Sequence, residues 1–587
     1  MTGRPARWGA AALLSISLAV GAAAAAPPRG PSPSVPCSAW MDRFGAGAQG
    51  PEASSPLSGG RPGDTLCDIP VPQAPRPPYL VPVADSVLGG VIERITNDPG
   101  LPTTPLPGTW GNDARHVYST QQPWNSDKTL LSIENRGGSP SPLILDGSTY
   151  APRLAPCANY PFYDYRWHPS PLHPHEQINV NSSGTELMWF DVVNCTRTRS
   201  WTLPIKVNYG IGSGDGNPSN DGRFVALGND SAMLVVDMDP QPPFPPYPSQ
   251  RIGPVYSFPP CSLTTGSPGD CTIGNLSVSP SGRYVDVKYS GADDTTADFH
   301  RVYEVDSTTL ALTPHRMATA SLRCGSFGGR PNGWIFPLKH SDMALDPFDG
   351  NQDVIVGGRS CPGASIGRVV KVRLSDGRVT PLTDPSNEAS VSHVSTRNLE
   401  RPGWAYVSYL KVEGKCFSDE IVAVRLDGSR TVERLAHKHS LTSGCYRCES
   451  HPVPSPDGER VLFASNWAED CGAGCGSISD IMDYVVTTSG PPSSTTGQDP
   501  GLVLNGIYPN PARFMPAIVY SVAARGPVRL EVVDVAGRRV LRRDLGSPDP
   551  GCHVASLGEG LGPAPGIYWL RLSQEKRRAS AAVVFIR

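Results

Sequence analysis

The chain has 587 residues, too many for one ordinary domain and enough to bury several cores. Its 51 Lys and Arg nearly balance its 54 Asp and Glu, so the whole-chain charge gives no argument for a nucleic-acid partner. The 61 Gly and 63 Pro favour a turn-rich, all-β chain over a helical one.

The N-terminus has the pattern of a secretory signal. Arg4 and Arg7 precede an apolar stretch that ends near Val20, and the small residues Ala22–Ala26 offer a cleavage site. We therefore predict a signal peptide over residues 1–26 and a secreted or cell-surface protein. The apolar stretch is shorter than the ~20 residues of a spanning helix, so no membrane span is expected after signal removal. An uncleaved membrane anchor is the alternative.

The cysteine content agrees with export, because oxidising compartments allow disulfides to persist. Cysteines close in sequence suggest the pairs Cys37–Cys67, Cys157–Cys195, Cys261–Cys271 and Cys324–Cys361. A further set, Cys445, Cys448, Cys471 and Cys475, has spacing that suits either zinc or disulfides. In an exported protein we favour disulfides.

Composition divides the chain into segments. Residues 27–78 are rich in Pro, Gly and Ser and should be extended, and residues 489–501 have the composition of an interdomain linker. Between them, residues 79–488 contain an irregular internal repeat.

The repeat is a strand, a turn of the type Ser455–Gly458 (SPDG), and a second strand followed by a hairpin. Seven such turns are marked by Asp127, Ser183, Asp221, Ser281, Asp349, Arg401 and Asp457. Their mean spacing of about 55 residues accommodates four short antiparallel strands, the size of a propeller blade. The prediction is an all-β, seven-bladed β-propeller whose ring is closed by a strand over Val87–Ile95. A string of unrelated hairpins or a sandwich is the alternative.

The SPDG turns carry a resemblance to the TolB-type, WD40-like propellers. The resemblance covers residues 81–488 and bears on the fold, since such propellers include both binding proteins and enzymes.

Residues 502–587 have a pattern of their own. YPNPA at Tyr508–Ala512, the hairpin VRLEVVDVAGRRVLRRDL and the strand GIYWLRL predict a small Ig-like β-sandwich. These motifs resemble the C-terminal sorting domains of type IX-secreted bacterial proteins and the Ig-like domain of flagellar hook assembly proteins. The resemblance implies that this domain contacts the secretion machinery and directs export or surface attachment.

Aligning the predicted blades on their turns shows which side chains can converge on the channel. His340 with Asp342, His393, and Glu449 with His451 precede the turns of three successive units by six to nine residues. Imidazole and carboxylate are good ligands for Mn, Zn or Fe, so these five residues are the predicted metal ligands. The alternative for each histidine is that it caps a strand or meets solvent.

This part of the chain resembles the oligogalacturonate-lyase branch of seven-bladed propellers. In that branch, histidines that include those of an HPHP-like motif bind a divalent metal, which acidifies a uronate for β-elimination. Here His451-Pro452-Val453-Pro454 keeps the first histidine, and Val453 replaces the second. Arg397 or Arg401 could neutralise or deprotonate a uronate, although no motif fixes either position.

Two functions therefore compete. The first is a propeller that binds a ligand such as a polysaccharide across its channel face, with Arg397, Arg401 and Trp404 as ligand-binding residues. The second is a metal-dependent lyase or hydrolase that acts on acidic sugars. The enzyme requires the histidines to converge, whereas the binding protein does not.

Overall fold

The computed structural model describes residues 61–62, 69, 71–162, 164–211, 216–239, 251–258, 272–290, 299–315, 334–335, 338–359, 369–383, 387–488, 502–508, 517–522, 524–534, 538–548, 551–556, 564–574 and 577–585. The predicted signal peptide and the predicted linker lie outside these ranges. In them the ordered elements are β-strands and three 3-10 turns, at Pro347–Asp349, Tyr446–Cys448 and Gly472–Gly474, with no α-helix. Within the same ranges, no helix has both the length and the hydropathy needed to cross a bilayer.

The strands fall into seven successive groups, which we call blades, followed by a C-terminal group. Before the blades lie β1 (Arg61–Pro62), β2 (Val83–Ala84) and β3 (Gly90–Arg94). Blade one has β4 (Asp113–Arg115), β5 (Leu130–Arg136), β6 (Leu143–Asp146) and β7 (Pro152–Leu154). Blade two has β8 (Arg166–Trp167), β9 (Glu176–Val180), β10 (Glu186–Asp191) and β11 (Thr196–Thr202). Blade three has β12 (Phe224–Gly228), β13 (Ala232–Asp237), β14 (Arg251–Ile252) and β15 (Tyr256–Ser257).

The remaining blades continue in chain order. Blade four has β16 (Thr272–Val278), β17 (Tyr284–Ser290), β18 (Phe299–Val305), β19 (Leu312–Pro314) and β20 (Trp334–Ile335). Blade five has β21 (Leu338–Asp346), β22 (Gln352–Arg359), β23 (Val369–Arg373) and β24 (Val379–Pro381). Blade six has β25 (Val391–Ser395), β26 (Trp404–Tyr409), β27 (Glu420–Arg425) and β28 (Val432–His437). Blade seven has β29 (Val453–Pro454), β30 (Val461–Ser465) and β31 (Ile481–Thr488).

The N-terminal strand completes blade seven. β3 pairs antiparallel with β31, from Gly90 opposite Thr488 to Arg94 opposite Tyr484, and so supplies the fourth strand of that blade. The first and last blades of the repeat are thereby joined through a strand that precedes the repeat in sequence. The seven-bladed, all-β prediction and its closing strand are confirmed.

Hydrophobic residues are buried between neighbouring blades. One core joins Val354 and Val369 of blade five to Val407 and Val422 of blade six. Another joins Tyr406 and Ile421 of blade six to Phe463 and Tyr484 of blade seven. A single twisted sheet has two apolar faces, and stacking blades around an axis buries both.

Two of the seven predicted turns have a different place, since Asp221 precedes β12, the first strand of blade three, and Ser183 lies later in blade two. In blades four to seven the turn connects the first strand to the second, as with Ser281 between β16 and β17. Ser183 instead lies between β9 and β10, the second and third strands of blade two. The first-to-second connection of that blade is the loop that carries His168 and His173. The predicted unit marked by Ser183 is therefore placed one strand too late in blade two.

The C-terminal group forms two sheets. They contain β32 (Val503–Tyr508), β33 (Ala517–Val522), β34 (Val528–Asp534), β35 (Arg539–Asp544), β36 (Gly551–Ser556), β37 (Gly566–Gln574) and β38 (Arg577–Phe585). The sheet orders are β32-β33-β36 and β35-β34-β37-β38. Ile518 and Tyr520 of the first sheet share one core with Leu530 and Leu570 of the second. Two sheets on a common core are the arrangement of a sandwich, while the Ig-like assignment and the sorting role stay predictions.

Three disulfides lie in the described part of the chain. Cys157 bonds to Cys195 as predicted. Cys445 bonds to Cys448, and Cys471 bonds to Cys475. The choice of disulfides over a zinc site for these last four cysteines is confirmed. The other predicted pairs involve residues outside the described ranges.

Candidate functional site

Three imidazoles from three successive blades meet. His340 lies in β21, His393 in β25, and His451 two residues before β29. The ring centroids of His340 and His393 are 4.1 Å apart, and those of His393 and His451 are 3.8 Å apart. His393 therefore contacts both of the others. We call this group the histidine cluster.

Burial keeps two of these rings neutral. His393 is fully buried and His451 is 1% exposed, so little water is available to solvate a charged ring. Burial holds the pKa of both imidazoles well below the usual value, and neighbouring imidazoles and the Arg115 guanidinium lower it further. A neutral imidazole has a free lone pair, which is the form that binds a metal.

His451 has two features that packing alone does not require. Both of its ring nitrogens are buried, and neither has a hydrogen-bond partner in the part of the chain that the structure describes. Its backbone φ is 44°, and that of His340 is 45°, both in the left-handed region. A residue other than glycine adopts this backbone conformation at a cost in conformational energy. Such backbone strain is concentrated at functional sites. Both features indicate that His451 is placed to bind something.

Two tyrosines complete the surroundings of the histidine cluster. The Tyr118 hydroxyl lies 2.9 Å from His340 Nδ1, and the Tyr118 ring meets His393 and His451 edge-on. The Tyr446 hydroxyl lies 3.4 Å from His393 Nε2 and 3.3 Å from the Tyr118 hydroxyl. Tyr446 is 54% exposed, so the cluster is connected to solvent on that side.

Sequence reasoning missed both tyrosines. Tyr118 follows β4 in a segment of blade one that forms no regular strand, and Tyr446 lies in the short loop closed by the Cys445–Cys448 disulfide. Neither position has a fixed offset from an SPDG turn. The only available signal for Tyr446 was its place between two closely spaced cysteines.

The two predicted acidic ligands have different surroundings. Glu449 Oε2 accepts a hydrogen bond from Ser392 Oγ at 2.7 Å and lies 3.3 Å from His393 Nδ1. Asp342 instead forms a bidentate ion pair with Arg397, with two N–O distances of 2.8 Å, and accepts the Thr396 backbone N–H. The structure places Glu449 at the histidine cluster and commits Asp342 to orienting Arg397.

The predicted ligand-binding residues do not share one surface. Trp404 is 2% exposed and packs in the core between blades six and seven, so its ring cannot stack on a sugar. Arg401 lies at the turn between β25 and β26, where its backbone N–H donates to Asn398 O. Trp404 was predicted from its sequence position alone, and its burial corrects that prediction.

Arg397 lines a separate pocket. The pocket has an empty volume of about 470 Å³, open to solvent in part, and is lined by Gln122, Arg166, His168, Asn217, Arg397 and Pro456 among others. The residues that line this pocket include none of His340, His393 and His451, so the pocket is distinct from the histidine cluster.

Comparison with known proteins adds little beyond the fold. No protein-family model matches the chain, and no curated protein matches its sequence. An oligogalacturonate lyase in complex with manganese aligns with a TM-score of 0.42 and 15% identity, covering 74% of this chain and 99% of its own. The propeller domain of Cps50 (Swd1) from Myceliophteria thermophila has a TM-score of 0.36 and 12% identity, covering 63% and 98%.

A WD40 domain of Neurospora crassa Pan2 is similar at a comparable level. Its TM-score is 0.35 with 12% identity, and the alignment covers 63% of this chain and 89% of that domain. These similarities show the fold alone.

Proposed function

We propose that this protein is an exported propeller that binds a divalent transition-metal ion through His340, His393 and His451 and, beside it, an anionic polysaccharide. The observation that carries the proposal is the contact of three imidazoles from three blades, with both nitrogens of buried His451 unpaired. Disulfides among the described residues support export.

The donor set fits such an ion. Imidazole nitrogen suits zinc, manganese and iron, and the Glu449 carboxylate beside His393 offers an oxygen. The rings lie partly stacked, at 24° between His393 and His451, so binding one ion requires them to turn until one nitrogen of each points to the same spot. Tyr446, which is exposed, can move aside for this rotation.

The cations around the cluster support an anionic ligand as part of this proposal. The Arg115 guanidinium and the Lys288 ammonium both act on His393, and both disfavour a further positive charge there. Arg115 is buried, and its pKa falls to about 10 because of burial and the nearby Arg447. A metal ion would add positive charge to this region. A ligand that brings carboxylates, such as a uronate polymer, would offset it.

A second candidate function, lyase action on that polymer, is favoured by the tyrosines. A divalent ion bound at the cluster would acidify the proton next to a uronate carboxylate. The Tyr118 hydroxyl is held against His340 Nδ1, a position from which it can exchange a proton with a ligand at the cluster. The exposed Tyr446 hydroxyl, next to that of Tyr118, provides a route for the proton to solvent.

Metal content of the purified full chain is the direct test of the first proposal. We expect His451→Ala to lose one equivalent of bound metal after equilibration with manganese or zinc and dialysis, because one of three imidazole ligands is removed. His553→Ala, in the C-terminal strands, is the matched control and should keep the wild-type content. Equal metal content in His451→Ala and the wild type, with both folded by circular dichroism, would contradict the proposal.

Incubation with polygalacturonate separates the binding protein from the lyase. We expect the metal-loaded wild type to bind the polymer with an affinity that falls with salt, and to bind neutral dextran less well. If the second candidate is correct, the ultraviolet absorption of an unsaturated product should appear. Tyr118→Phe should then lower its rate by about 10²–10⁴-fold, the usual contribution of a general acid or base, with little change in binding.

Three outcomes are informative. Binding of polygalacturonate without product formation would support the binding protein over the lyase. Product formation at an unchanged rate in Tyr118→Phe would show that Tyr118 takes no part in the reaction. Equal affinity for dextran and polygalacturonate would contradict an anionic ligand.

A further inference from the structure

A second group of buried ionisable side chains lies between blades two and three. His168 follows β8, His173 lies in the loop to β9, and Glu176 is the first residue of β9. One ligand atom of each lies within 4.8 Å of the ligand atoms of the other two. All three residues are buried. None of them belongs to the histidine cluster, which blades five to seven supply.

Asp239, just after β13 of blade three, extends this group. Its Oδ2 atom lies 3.2 Å from His168 Nε2 and 3.5 Å from His173 Nε2. Donors around a tetrahedral zinc, with bonds of 2.0–2.1 Å, are separated by about 3.3 Å. The Asp239 carboxylate therefore lies close to both imidazoles.

Hydrogen bonds account for only part of the arrangement. His168 Nδ1 accepts the Ser170 backbone N–H, but His168 Nε2 and Glu176 Oε2 are buried and have no hydrogen-bond partner among the described residues. The distance of 3.2 Å from His168 Nε2 to Asp239 exceeds the 2.7–2.9 Å typical of a charge-assisted hydrogen bond. Buried polar atoms without partners are rare in native proteins and often mark an ion or water that occupies the space between them.

The balance of charge also calls for a cation. The Arg199 guanidinium lies 3.0 Å from Asp239 Oδ1 and 3.6 Å from Glu176 Oε2, and it stacks on the Trp189 ring at 4.2 Å. One guanidinium faces two carboxylates, which leaves a negative charge uncompensated.

We infer that His168, His173 and Glu176 form a second metal site, which takes a divalent ion of the zinc class, with the Asp239 carboxylate of blade three beside its imidazoles. Arg199 is a positioning residue that holds both carboxylates towards the imidazoles. His168 also lines the pocket beside Arg397, and this pocket gives the ion a path of entry.

The second site can be tested in the full-length protein after the histidine cluster has been disabled. Zinc content would be measured in a His451→Ala background, where the proposed channel ion is absent. Adding His168→Ala or Glu176→Gln should each remove one further equivalent. His175→Ala, two residues from His173 and outside the ligand set, should leave the zinc content unchanged.

Thermal unfolding gives an independent readout. A strong chelator should lower the melting temperature of the His451→Ala protein, because a bound ion stabilises only the folded state, and should have no effect once His168→Ala or Glu176→Gln is added. Circular dichroism identifies variants that do not fold. If His168→Ala does not fold, Glu176→Gln, which keeps the shape of the side chain, tests the site in its place. Unchanged zinc content in a folded His168→Ala or Glu176→Gln protein would overturn the inference, whatever the result for the histidine cluster.

Discussion

Replacing Arg434 with Ala should lower the free energy of unfolding of the propeller by about 3–5 kcal/mol, the usual cost of leaving one partner of a buried ion pair alone. Arg434 in β28 pairs across the sheet with Glu420 in β27, with the Nε–Oε2 distance at 2.6 Å. Both side chains are 1% exposed. Without the Arg434 guanidinium, the Glu420 carboxylate would stay buried but would lose the ion pair that stabilises its charge.

The large effect is expected because the buried Glu420 carboxyl group ionises more readily with the help of Arg434. Burial raises its pKa even with Arg434 present, and Arg434 opposes that rise. After Arg434→Ala the carboxyl group should take up a proton more readily, so the loss of stability should grow as the pH rises above the usual range of glutamate. Urea unfolding of both proteins at pH 5 and pH 8 measures this difference.

Two comparisons separate the ion pair from other causes. Arg425 in β27 pairs with Asp427 at 2.8 Å but is 28% exposed, so Arg425→Ala should change the free energy of unfolding by about 0–1 kcal/mol. The double variant Glu420→Met/Arg434→Met replaces both charges by apolar groups and should recover most of the lost stability. If Arg434→Ala and Arg425→Ala have equal effects, the buried pair has no special role.

Much of the fold follows from local signals. SPDG turns require positive φ at their glycine, as at Gly458 with φ 68°, and Asp457 accepts hydrogen bonds from Ser455 and the Glu459 backbone. Because these turns recur between strands, the blades were predictable from sequence. Blade two was misaligned because its first-to-second connection, the loop with His168 and His173, has no such turn.

The candidate site was only partly predictable, for a related reason. His340, His393 and His451 occupy similar offsets in blades whose turns are regular, so their convergence could be anticipated. Tyr118, Tyr446 and the pairing of Asp342 with Arg397 depend on irregular loops and on contacts between blades. No spacing in the sequence encodes these contacts, since they arise only when the ring closes.

Ring closure itself depends on a small set of polar contacts near the N-terminus. Asp85, between β2 and β3, accepts hydrogen bonds from the Val87 and Leu88 backbone N–H groups. Its other oxygen accepts from the His437 backbone N–H at 2.9 Å and lies 2.8 Å from His437 Nδ1. This carboxylate therefore fastens the hairpin of the closing strand to the end of β28 in blade six.

Asp85→Ala should therefore destabilise the propeller by about 3–5 kcal/mol near pH 5, because it leaves His437 buried without its carboxylate. Burial opposes ionisation of Asp85, but the hydrogen bond and charge of His437 outweigh it and hold the Asp85 pKa below its usual value. For His437, burial disfavours the charged ring, and Asp85 overcomes this to raise its pKa. The carboxylate's contribution is present above about pH 4 and is lost as the pH falls further. The contribution of the His437 imidazolium to stability is present below about pH 6.5 and is lost as the pH rises through its raised pKa.

The difference in unfolding free energy between wild type and Asp85→Ala should consequently be largest between about pH 4 and 6.5 and smaller at pH 9. Urea unfolding at pH 5.5 and pH 9 tests this, with Asp306→Ala, a turn aspartate in blade four that pairs with no histidine, as the control. A difference that is the same at both pH values would show that Asp85 acts only as a backbone cap. In that case closure of the ring would depend on strand pairing between β3 and β31 and not on the link to blade six.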